Sequence, residues 1–284
     1  MIIDGKYSGK IKIDSVRKEY VLAEKLHYGE HTVKIFKATQ INKEYGRGYT
    51  KLHDFSVQGR ALNPKVLPKR KIEFYGNSIT CGHAVEDSSG KDSGAAIFEN
   101  NYFSYAAITA RHFNAQYSCI GVSGIGLFSG FRKAIMPEIY NLRNPFDSAD
   151  FWNFSKFQPD VVVVNLLQND EAVVSRPASD QFKKLFGTKP PDEDFIVKKY
   201  ANFIRTLRKN YPSAHIICVL GNMGITKNDS QWPSYVQKAS ASLNDRRIYT
   251  CFFEYKNTPG HPNIKEQNAM ADELIAFIND RISW

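Results

Sequence analysis

The segment KIEFYGNSITCG, residues 71–82, combines a strand, a turn and the start of a helix. KIEFYG is a short apolar run of the kind that forms a strand, and Gly-Asn-Ser is a turn sequence. Ser78 then lies at the carboxyl end of the strand, where the first N–H groups of a helix favour a developing negative charge. The segment therefore predicts an α/β unit and makes Ser78 the candidate nucleophile. A helix-capping serine is the alternative explanation of this segment taken alone.

Apolar runs and helical stretches alternate from Lys71 to the carboxyl end. Further strands are predicted at AQYSCIG (115–121), PDVVVVNLL (159–167), AHIICVLG (214–221) and RIYTCFFEY (247–255). Helices are predicted at residues 101–113, 192–211, 231–245 and 263–282. The continuous run Val161 to Val164 is typical of a strand buried on both faces. We therefore predict an α/β fold, a parallel sheet flanked by helices, with its active site at the carboxyl ends of the strands.

Residues 1–66 alternate between apolar and polar side chains in the manner of strands. The segments that do so are KIKIDS (10–15), EYVLAE (19–24), HTVKIFKAT (31–39) and KLHDFSVQG (51–59). ALNPKVLPKRK (61–71) is rich in proline and lysine and suits a linker. We predict two domains, a small β domain over residues 1–66 and an α/β domain over residues 67–284.

Composition excludes several classes of protein. No apolar run among the 284 residues approaches the roughly 18 needed to span a membrane. The net charge of +9 is spread along the chain without a nucleic-acid-binding motif, so no nucleic-acid partner is expected. The four cysteines show no C-x-x-C spacing, so we expect buried thiols rather than a zinc or redox site.

A nucleophilic serine needs a base, and His261 is the best candidate among the seven histidines. It lies in TPGHP (258–262), where Pro262 suits the first position of a helix, so its ring is expected in a loop at the mouth of the sheet. Asn169 and Gly124 follow two other strands and are candidate donors for an oxyanion hole. The alternatives are a structural histidine, a turn asparagine and a glycine needed only for its backbone conformation.

The segments that hold these residues resemble, in the same order, the four sequence blocks of the SGNH (GDSL-like) hydrolases. They are GNSIT (76–80), VSGIG (122–126), LLQND (166–170) and TPGHP (258–262). More narrowly, the chain is similar to carbohydrate esterase family 2, whose members deacetylate plant polysaccharides and join a small jelly-roll domain to an SGNH domain. The likeness extends to GEHTVKIFKAT (29–39) and MPEIYNLRNPFD (136–147), and it covers nearly all of the chain.

The resemblance implies a serine esterase in which Ser78 is the nucleophile and His261 the base, with no metal or cofactor. It implies an oxyanion hole made of the Ser78 N–H, the Gly124 N–H and the Asn169 side chain. The implied fold is an SGNH sheet preceded by an incomplete β jelly roll. The implied activity is hydrolysis of acetyl esters of a polysaccharide or oligosaccharide through an acetyl-serine intermediate.

Three positions depart from the family pattern. Asn77 replaces the usual aspartate before the nucleophile, and Leu167 stands where the third block normally has glycine. We expect Leu167 to narrow the pocket or to displace the backbone that aims Asn169. Thr258 occupies the position three residues before the base where an aspartate is expected. The sequence therefore predicts a Ser-His dyad without an acid.

Outside the blocks, one carboxylate and two segments are expected to assist the site. Glu254 is a candidate for a compensating acid. The loop AVEDSSGKDSGAAIFEN (84–100) is expected to be a mobile rim that recognises substrate. Between residues 128 and 157 lie aromatic side chains that are candidates for stacking on sugar rings, with core packing as the alternative. They are Phe131, Tyr140, Phe146, Phe151 and Trp152.

The amino terminus begins partway through the family's accessory domain, so we expect a truncated or shortened jelly roll with an unpaired edge. The first residues lack the basic start and the long apolar segment of a signal peptide, so none is expected in this sequence, although the resemblance implies secretion or a periplasmic location. Two other functions stay open: an SGNH domain that only binds glycans, and an SGNH lipase or thioesterase. The sequence leaves the oligomeric state unknown.

Overall fold

Near the amino end of the chain, three two-residue strands form a small antiparallel sheet. The structure is a computed structural model that describes residues 1–41 and 48–284. They are β1 (Ile2–Ile3), β2 (Lys6–Tyr7) and β3 (Val33–Lys34), with β1 in the middle. Of the four segments predicted as strands here, only residues 31–39 contain one. The predictions for residues 10–15, 19–24 and 51–59 are wrong, because alternation does not form a strand without a hydrogen-bonded neighbour. Val21 and Phe55 are accordingly 69% and 63% exposed.

Five parallel strands form the main sheet, and each was predicted. They are β4 (Lys71–Gly76), β5 (Gln116–Gly121), β6 (Val161–Asn165), β7 (His215–Leu220) and β8 (Ile248–Phe252). Their spatial order is β5-β4-β6-β7-β8, and every neighbouring pair is parallel. The predicted α/β fold class is therefore confirmed.

Eight α-helices connect and cover these strands in the described part of the chain. They are α1 (Ser78–Cys81), α2 (Tyr105–His112), α3 (Met136–Ile139), α4 (Gln168–Val174), α5 (Asp180–Phe186), α6 (Glu193–Asn210), α7 (Trp232–Ala241) and α8 (Ile264–Arg281). Short 3-10 helices cover Ala96–Phe98, Asn101–Phe103, Phe154–Lys156 and Gly224–Thr226. Among the residues described, no helix combines the length and apolar character needed to cross a membrane.

The core lies on both faces of the main sheet. Val162 and Val164 belong to the core that α6 and α7 cover, and Val161 and Val163 belong to the core that α2 and α8 cover. Because alternate residues point to opposite faces, a strand covered on both sides must be apolar throughout. The run Val161 to Val164 is fully buried for this reason. Of the four cysteines, Cys81 and Cys218 are buried as predicted, and the other two are half-buried.

The strand order places the functional segments together. The chain leaves β4 to form β5 on one side and then returns past β4 to form β6 on the other. In open α/β sheets the crevice at such a switch point, outside the carboxyl ends of the strands, is where ligands bind. Ser78 follows β4, Gly124 follows β5 and Asn169 follows β6, so the topology brings all three to this edge.

The amino-terminal region packs directly against the α/β region. Tyr7 stacks on Tyr102 with ring centroids 5.2 Å apart, and the Asn101 N–H donates to the Ala38 carbonyl at 2.7 Å. The Lys10 ammonium pairs with Glu86, which lies in the loop after α1. The predicted domain boundary between residues 66 and 67 stays a prediction.

Candidate active site

The nucleophile turn joins β4 to α1. Asn77 is the helix N-cap, and its side-chain oxygen accepts a hydrogen bond from the Ile79 N–H at 3.1 Å. Asparagine and aspartate both perform this capping function, so the departure at Asn77 preserves the turn. Ser78 is the first residue of α1 and is 6% exposed. Its own N–H is one of those that a helix leaves without an intrahelical partner.

The imidazole of His261 contacts the Ser78 hydroxyl. The His261 Nε2 lies 2.8 Å from the Ser78 Oγ, within hydrogen-bond distance. His261 lies in the loop between β8 and α8, as predicted, but α8 begins at Ile264 and not at Pro262. Asn263 is the N-cap, because it forms a capping box with Glu266 that fixes the helix start.

The third group of this constellation is Asp92, which the sequence did not reveal. Its two carboxylate oxygens each lie 2.9 Å from the His261 Nδ1, and one accepts the His261 N–H at 3.0 Å. Gly260 allows this approach, because it has a φ of +72° and a Cβ there would lie 3.2 Å from Asp92 Cβ. Ser78, His261 and Asp92 thus form a continuous hydrogen-bonded chain with the geometry of a Ser-His-Asp triad.

The electrostatics agree with an ionised carboxylate next to the imidazole. Hydrogen bonding by the His261 side chain, helped by its backbone N–H, lowers the pKa of Asp92 from 3.8 to about 2. Partial burial opposes this shift in pKa, but the hydrogen bonds outweigh it. A charged Asp92 orients the ring with its proton on Nδ1, which leaves Nε2 free to accept the serine proton.

Two expectations about the acid are therefore wrong. The site is not a dyad without an acid, and Glu254 does not orient the base: Glu254 is exposed, and the His261 Nδ1 is taken by Asp92. Asp92 lies in the loop of residues 84–100, which was expected only to recognise substrate. Asp87 braces this loop by accepting the Ser89 and Ser93 N–H groups at 2.9 and 2.7 Å.

Thr258, which occupies the position where the family usually has an acid, bonds to Lys256 and Glu266. The Lys256 ammonium donates to the Thr258 carbonyl at 2.9 Å, to its hydroxyl at 2.6 Å and to the Pro259 carbonyl at 3.0 Å. The Thr258 hydroxyl in turn donates to Glu266. Lys256 therefore holds the backbone turn before His261, while the acid comes from a different loop.

The loop of residues 122–129 carries Gly124 and is fixed by the first turn of α4. The buried Asp170 carboxylate accepts the N–H groups of residues 127, 128 and 129 at 2.8 to 3.1 Å. The Asn169 side chain donates to the Ile125 carbonyl at 2.7 Å. Gly124 adopts a φ of +80°, and among the described residues its N–H donates to no acceptor. The structure thus brings Asn169 to the loop of Gly124 and leaves that N–H available.

Known proteins are similar to this chain in sequence and fold. Residues 1–65 match the family described as carbohydrate esterase 2 N-terminal. The cellulase/esterase CelE of Acetivibrio thermocellus is 34% identical over 297 residues, which cover 100% of this chain and 34% of CelE. An acetylxylan esterase/glucomannan deacetylase of Cellvibrio japonicus is 26% identical, with 100% of this chain and 76% of that protein covered. The structure of a family two carbohydrate esterase from Clostridium thermocellum in complex with cellohexaose is 36% identical, with a TM-score of 0.66 over 78% of this chain and 66% of that one.

The chain belongs to the SGNH hydrolases of carbohydrate esterase family 2. It spans only 34% of the length of CelE. The sequence prediction of the family is therefore confirmed, and the relatives with curated names are esterases. The predicted SGNH sheet preceded by a small β region is confirmed as well.

The family's glycine at position 167 is replaced here at a backbone position that suits glycine. Leu167 is the N-cap of α4 and adopts a left-handed φ of 76°. Its side chain is fully buried in the core that α6 and α7 cover, so it does not protrude as an exposed group into the pocket. Asn169, two residues later, still reaches the loop of Gly124. The leucine is therefore accommodated at the expense of backbone strain.

Replacement of Leu167 tests this balance between strain and packing. Left-handed backbone costs a non-glycine residue roughly 1–2 kcal/mol, whereas removing a buried leucine side chain costs about 2.7–5 kcal/mol. We expect Leu167→Gly and Leu167→Ala both to lower the free energy of unfolding, with the glycine variant at least as stable as the alanine variant. Urea denaturation of the three proteins measures this order. A glycine variant clearly less stable than the alanine variant would show that the backbone is not strained.

Proposed function

We propose that this chain is a carbohydrate O-acetyl esterase that acts through an acetyl-serine intermediate. The observation that carries the proposal is the hydrogen-bonded chain from the Ser78 Oγ to the His261 Nε2 at 2.8 Å and from the His261 Nδ1 to Asp92 at 2.9 Å. A serine hydroxyl becomes a nucleophile when an oriented imidazole takes its proton. Binding of glycans alone does not require this arrangement.

In the acylation step the Ser78 Oγ attacks the carbonyl carbon of the acetyl ester, and its proton moves to the His261 Nε2. Asp92 stabilises the imidazolium that forms. The tetrahedral intermediate then collapses, the bond between the acyl carbon and the sugar oxygen breaks, and His261 returns the proton to that oxygen. The products of this half-reaction are a free sugar hydroxyl and an acetylated Ser78.

Deacylation repeats the sequence with water. His261 removes a proton from a water molecule, the hydroxide attacks the acetyl carbon, and a second tetrahedral intermediate forms. When this intermediate collapses, the bond to the Ser78 Oγ breaks and the serine oxygen recovers the proton from His261. Acetic acid leaves and ionises in water, and the triad returns to its starting protonation state.

The developing oxyanion needs donors that are aimed before the reaction. The proposed donors are the N–H groups of Ser78 and Gly124 and the side chain of Asn169. A side-chain amide has two hydrogens. One Asn169 hydrogen goes to the Ile125 carbonyl, which leaves the second for the oxyanion.

Two observations favour a carbohydrate as the carrier of the acetyl group. The relatives carry names that include acetylxylan esterase and glucomannan deacetylase, and a related structure holds cellohexaose. Phe131 is 51% exposed and its Cβ lies 3.4 Å from where a Cβ on Gly124 would be, so this residue lies beside Gly124, a proposed oxyanion donor. An exposed aromatic ring at this place suits stacking on a sugar face.

The other four aromatic candidates divide between surface and interior. Phe146 and Phe151 are exposed, and Trp152 is half-buried. Tyr140 packs against Phe154 and Phe203, with ring centroids 6.0 and 5.8 Å apart, so it serves the core. We therefore propose Phe131 as the first stacking residue and exclude Tyr140 from that role.

The direct test combines product analysis with covalent labelling. The protein is incubated with acetylated xylan and acetylated glucomannan, and released acetate is measured. A fluorophosphonate, which reacts with activated serines, is then used to label the protein, and the modified peptide is located by mass spectrometry. We expect acetate release and a label on Ser78 but on no other serine. Absence of both acetate release and labelling would overturn the proposal. Faster cleavage of p-nitrophenyl octanoate than of p-nitrophenyl acetate would favour a lipase.

A further inference from the structure

Gln40 is a buried residue of the amino-terminal region that reaches the active-site loops. It is 9% exposed and lies seven residues after Val33, the first residue of β3. Its side-chain oxygen accepts the Ser123 N–H at 2.7 Å, and its side-chain nitrogen donates to the Ser123 hydroxyl at 2.5 Å. The Gln40 amide therefore forms hydrogen bonds to both the backbone and the side chain of Ser123. Ser123 directly precedes Gly124, the proposed oxyanion donor.

The same glutamine is anchored on its other side by Glu99. The Gln40 side-chain nitrogen donates to a Glu99 carboxylate oxygen at 3.0 Å, and the Gln40 backbone N–H donates to the other oxygen. Glu99 is fully buried and lies in the α/β region. The position of the Gln40 amide is thus set by two fixed partners, and a buried amide with all these bonds made has little freedom to turn.

Ser123, the residue directly before Gly124, is held at both of its backbone polar groups. Gln40 fixes the Ser123 N–H, and the Arg132 Nε donates to the Ser123 carbonyl at 2.7 Å. In a planar trans peptide the carbonyl and the following N–H point in opposite directions. Fixing the Ser123 carbonyl therefore fixes the direction of the Gly124 N–H. A Cβ on Gly124 would lie 3.3 Å from the Arg132 Nε, so the arginine packs tightly against this peptide.

The contacts of Gln40 also extend toward the base. The Glu99 carboxylate lies 3.9 Å from the His83 Nδ1, and the His83 ring packs edge-on against the His261 ring with centroids 4.6 Å apart. Gln40 thus belongs to a buried cluster that touches the oxyanion loop on one side and the histidine pair on the other. Tyr7, by contrast, bonds to Asn100 in the same interface without reaching Ser123.

We infer that Gln40 is a positioning residue through which the amino-terminal region aims the Gly124 N–H at the oxyanion. This inference rests on the function proposed above. Gln40 itself touches no reacting atom, and its effect passes through Ser123. Because oxyanion donors act in the transition state and not on the bound ester, loss of Gln40 should lower kcat and leave KM nearly unchanged.

The kinetic test compares Gln40→Met with Tyr7→Phe on p-nitrophenyl acetate. Methionine fills a similar volume and makes none of the hydrogen bonds, whereas Tyr7→Phe removes one bond of the same interface away from the oxyanion loop. We expect kcat to fall about 10- to 100-fold in Gln40→Met, less than the 10²–10³ for removal of a whole donor. KM should stay within about twofold in both variants. A kcat for Gln40→Met equal to that of Tyr7→Phe would overturn the inference.

Hydrogen exchange tests the positioning without turnover. We expect faster deuterium uptake in the peptide of residues 122–130 in Gln40→Met, and wild-type uptake there in Tyr7→Phe. Unchanged uptake in Gln40→Met would overturn the inference even in an active enzyme. A wild-type protein without esterase activity would instead refute the proposed function, and the exchange data would still decide whether Gln40 holds the loop.

A second variant covers the case in which Gln40→Met does not fold. Ser123→Ala removes only the hydroxyl that accepts from Gln40 and keeps the backbone N–H. We expect a smaller loss of kcat in the same direction, with KM unchanged. A wild-type kcat together with wild-type exchange in residues 122–130 would overturn the inference.

Discussion

Replacement of Ser78 by alanine is expected to lower kcat for acetyl esters by about 10⁶-fold, the loss seen when a triad serine is removed. The variant keeps the oxyanion donors and the imidazole, but water must then attack the ester without a covalent intermediate. Ser78 is 6% exposed and its hydroxyl bonds only to His261 among the described residues, so the fold should tolerate the change. Rates on p-nitrophenyl acetate and the thermal midpoint measure the two effects separately.

The matched control for this variant is Ser175→Ala. Ser175 is an exposed serine at the end of α4, and its hydroxyl makes one long bond of 3.4 Å to the Ala172 carbonyl. We expect wild-type rates in this control and loss of fluorophosphonate labelling only in Ser78→Ala. Equal esterase rates in wild type and Ser78→Ala would assign the activity to another group and refute the proposed nucleophile.

The central strands β6 and β7 of the main sheet could be predicted because they obey one physical rule. A strand covered by helices on both faces is a continuous apolar run, and Val161 to Val164 is the clearest example. The amino-terminal region obeys no such rule. Its alternation predicted strands at residues 10–15 and 19–24, but pairing depends on partners that the local sequence does not specify. Within residues 1–41 and 48–66, only short strands at the start of the chain and at Val33–Lys34 form.

The sequence allowed prediction of candidate site residues that lie near the ends of strands, but not of those that lie in long loops. Ser78 and His261 could be proposed from the sequence because a strand-turn-helix unit and a loop before a helix are local patterns. Asp92 is separated from His261 by 169 residues and adopts a φ of 55° in a loop without a motif. Several acidic residues lie in that loop, and only the folded structure shows which of them contacts His261. Gln40 was missed for the same reason, since 83 residues separate it from Ser123.

Replacement of Asp92 by asparagine is expected to lower kcat by up to about 10⁴-fold with little change in KM. The amide cannot stabilise the imidazolium, and its N–H group can pair with the His261 Nδ1 and favour the wrong tautomer of the ring. Glu254→Gln is the matched control, because Glu254 is the carboxylate that its closeness to His261 in the sequence suggests as the acid. We expect the control to keep wild-type rates. Wild-type activity in Asp92→Asn, or a large loss in Glu254→Gln, would contradict the triad.

The pH dependence of stability gives an independent check on Asp92. Its pKa falls from 3.8 to about 2 in the folded protein, chiefly through the hydrogen bond from His261. A carboxyl whose pKa is lower in the folded than in the unfolded protein stabilises the fold at pH values above the unfolded-state pKa. This contribution is lost as the pH falls from about 4 toward 2. Thermal midpoints of wild type and Asp92→Asn should therefore differ at pH 5 to 7 and converge near pH 2. A difference that stays constant down to pH 2 would mean that Asp92 does not bind His261 as an ionised carboxylate.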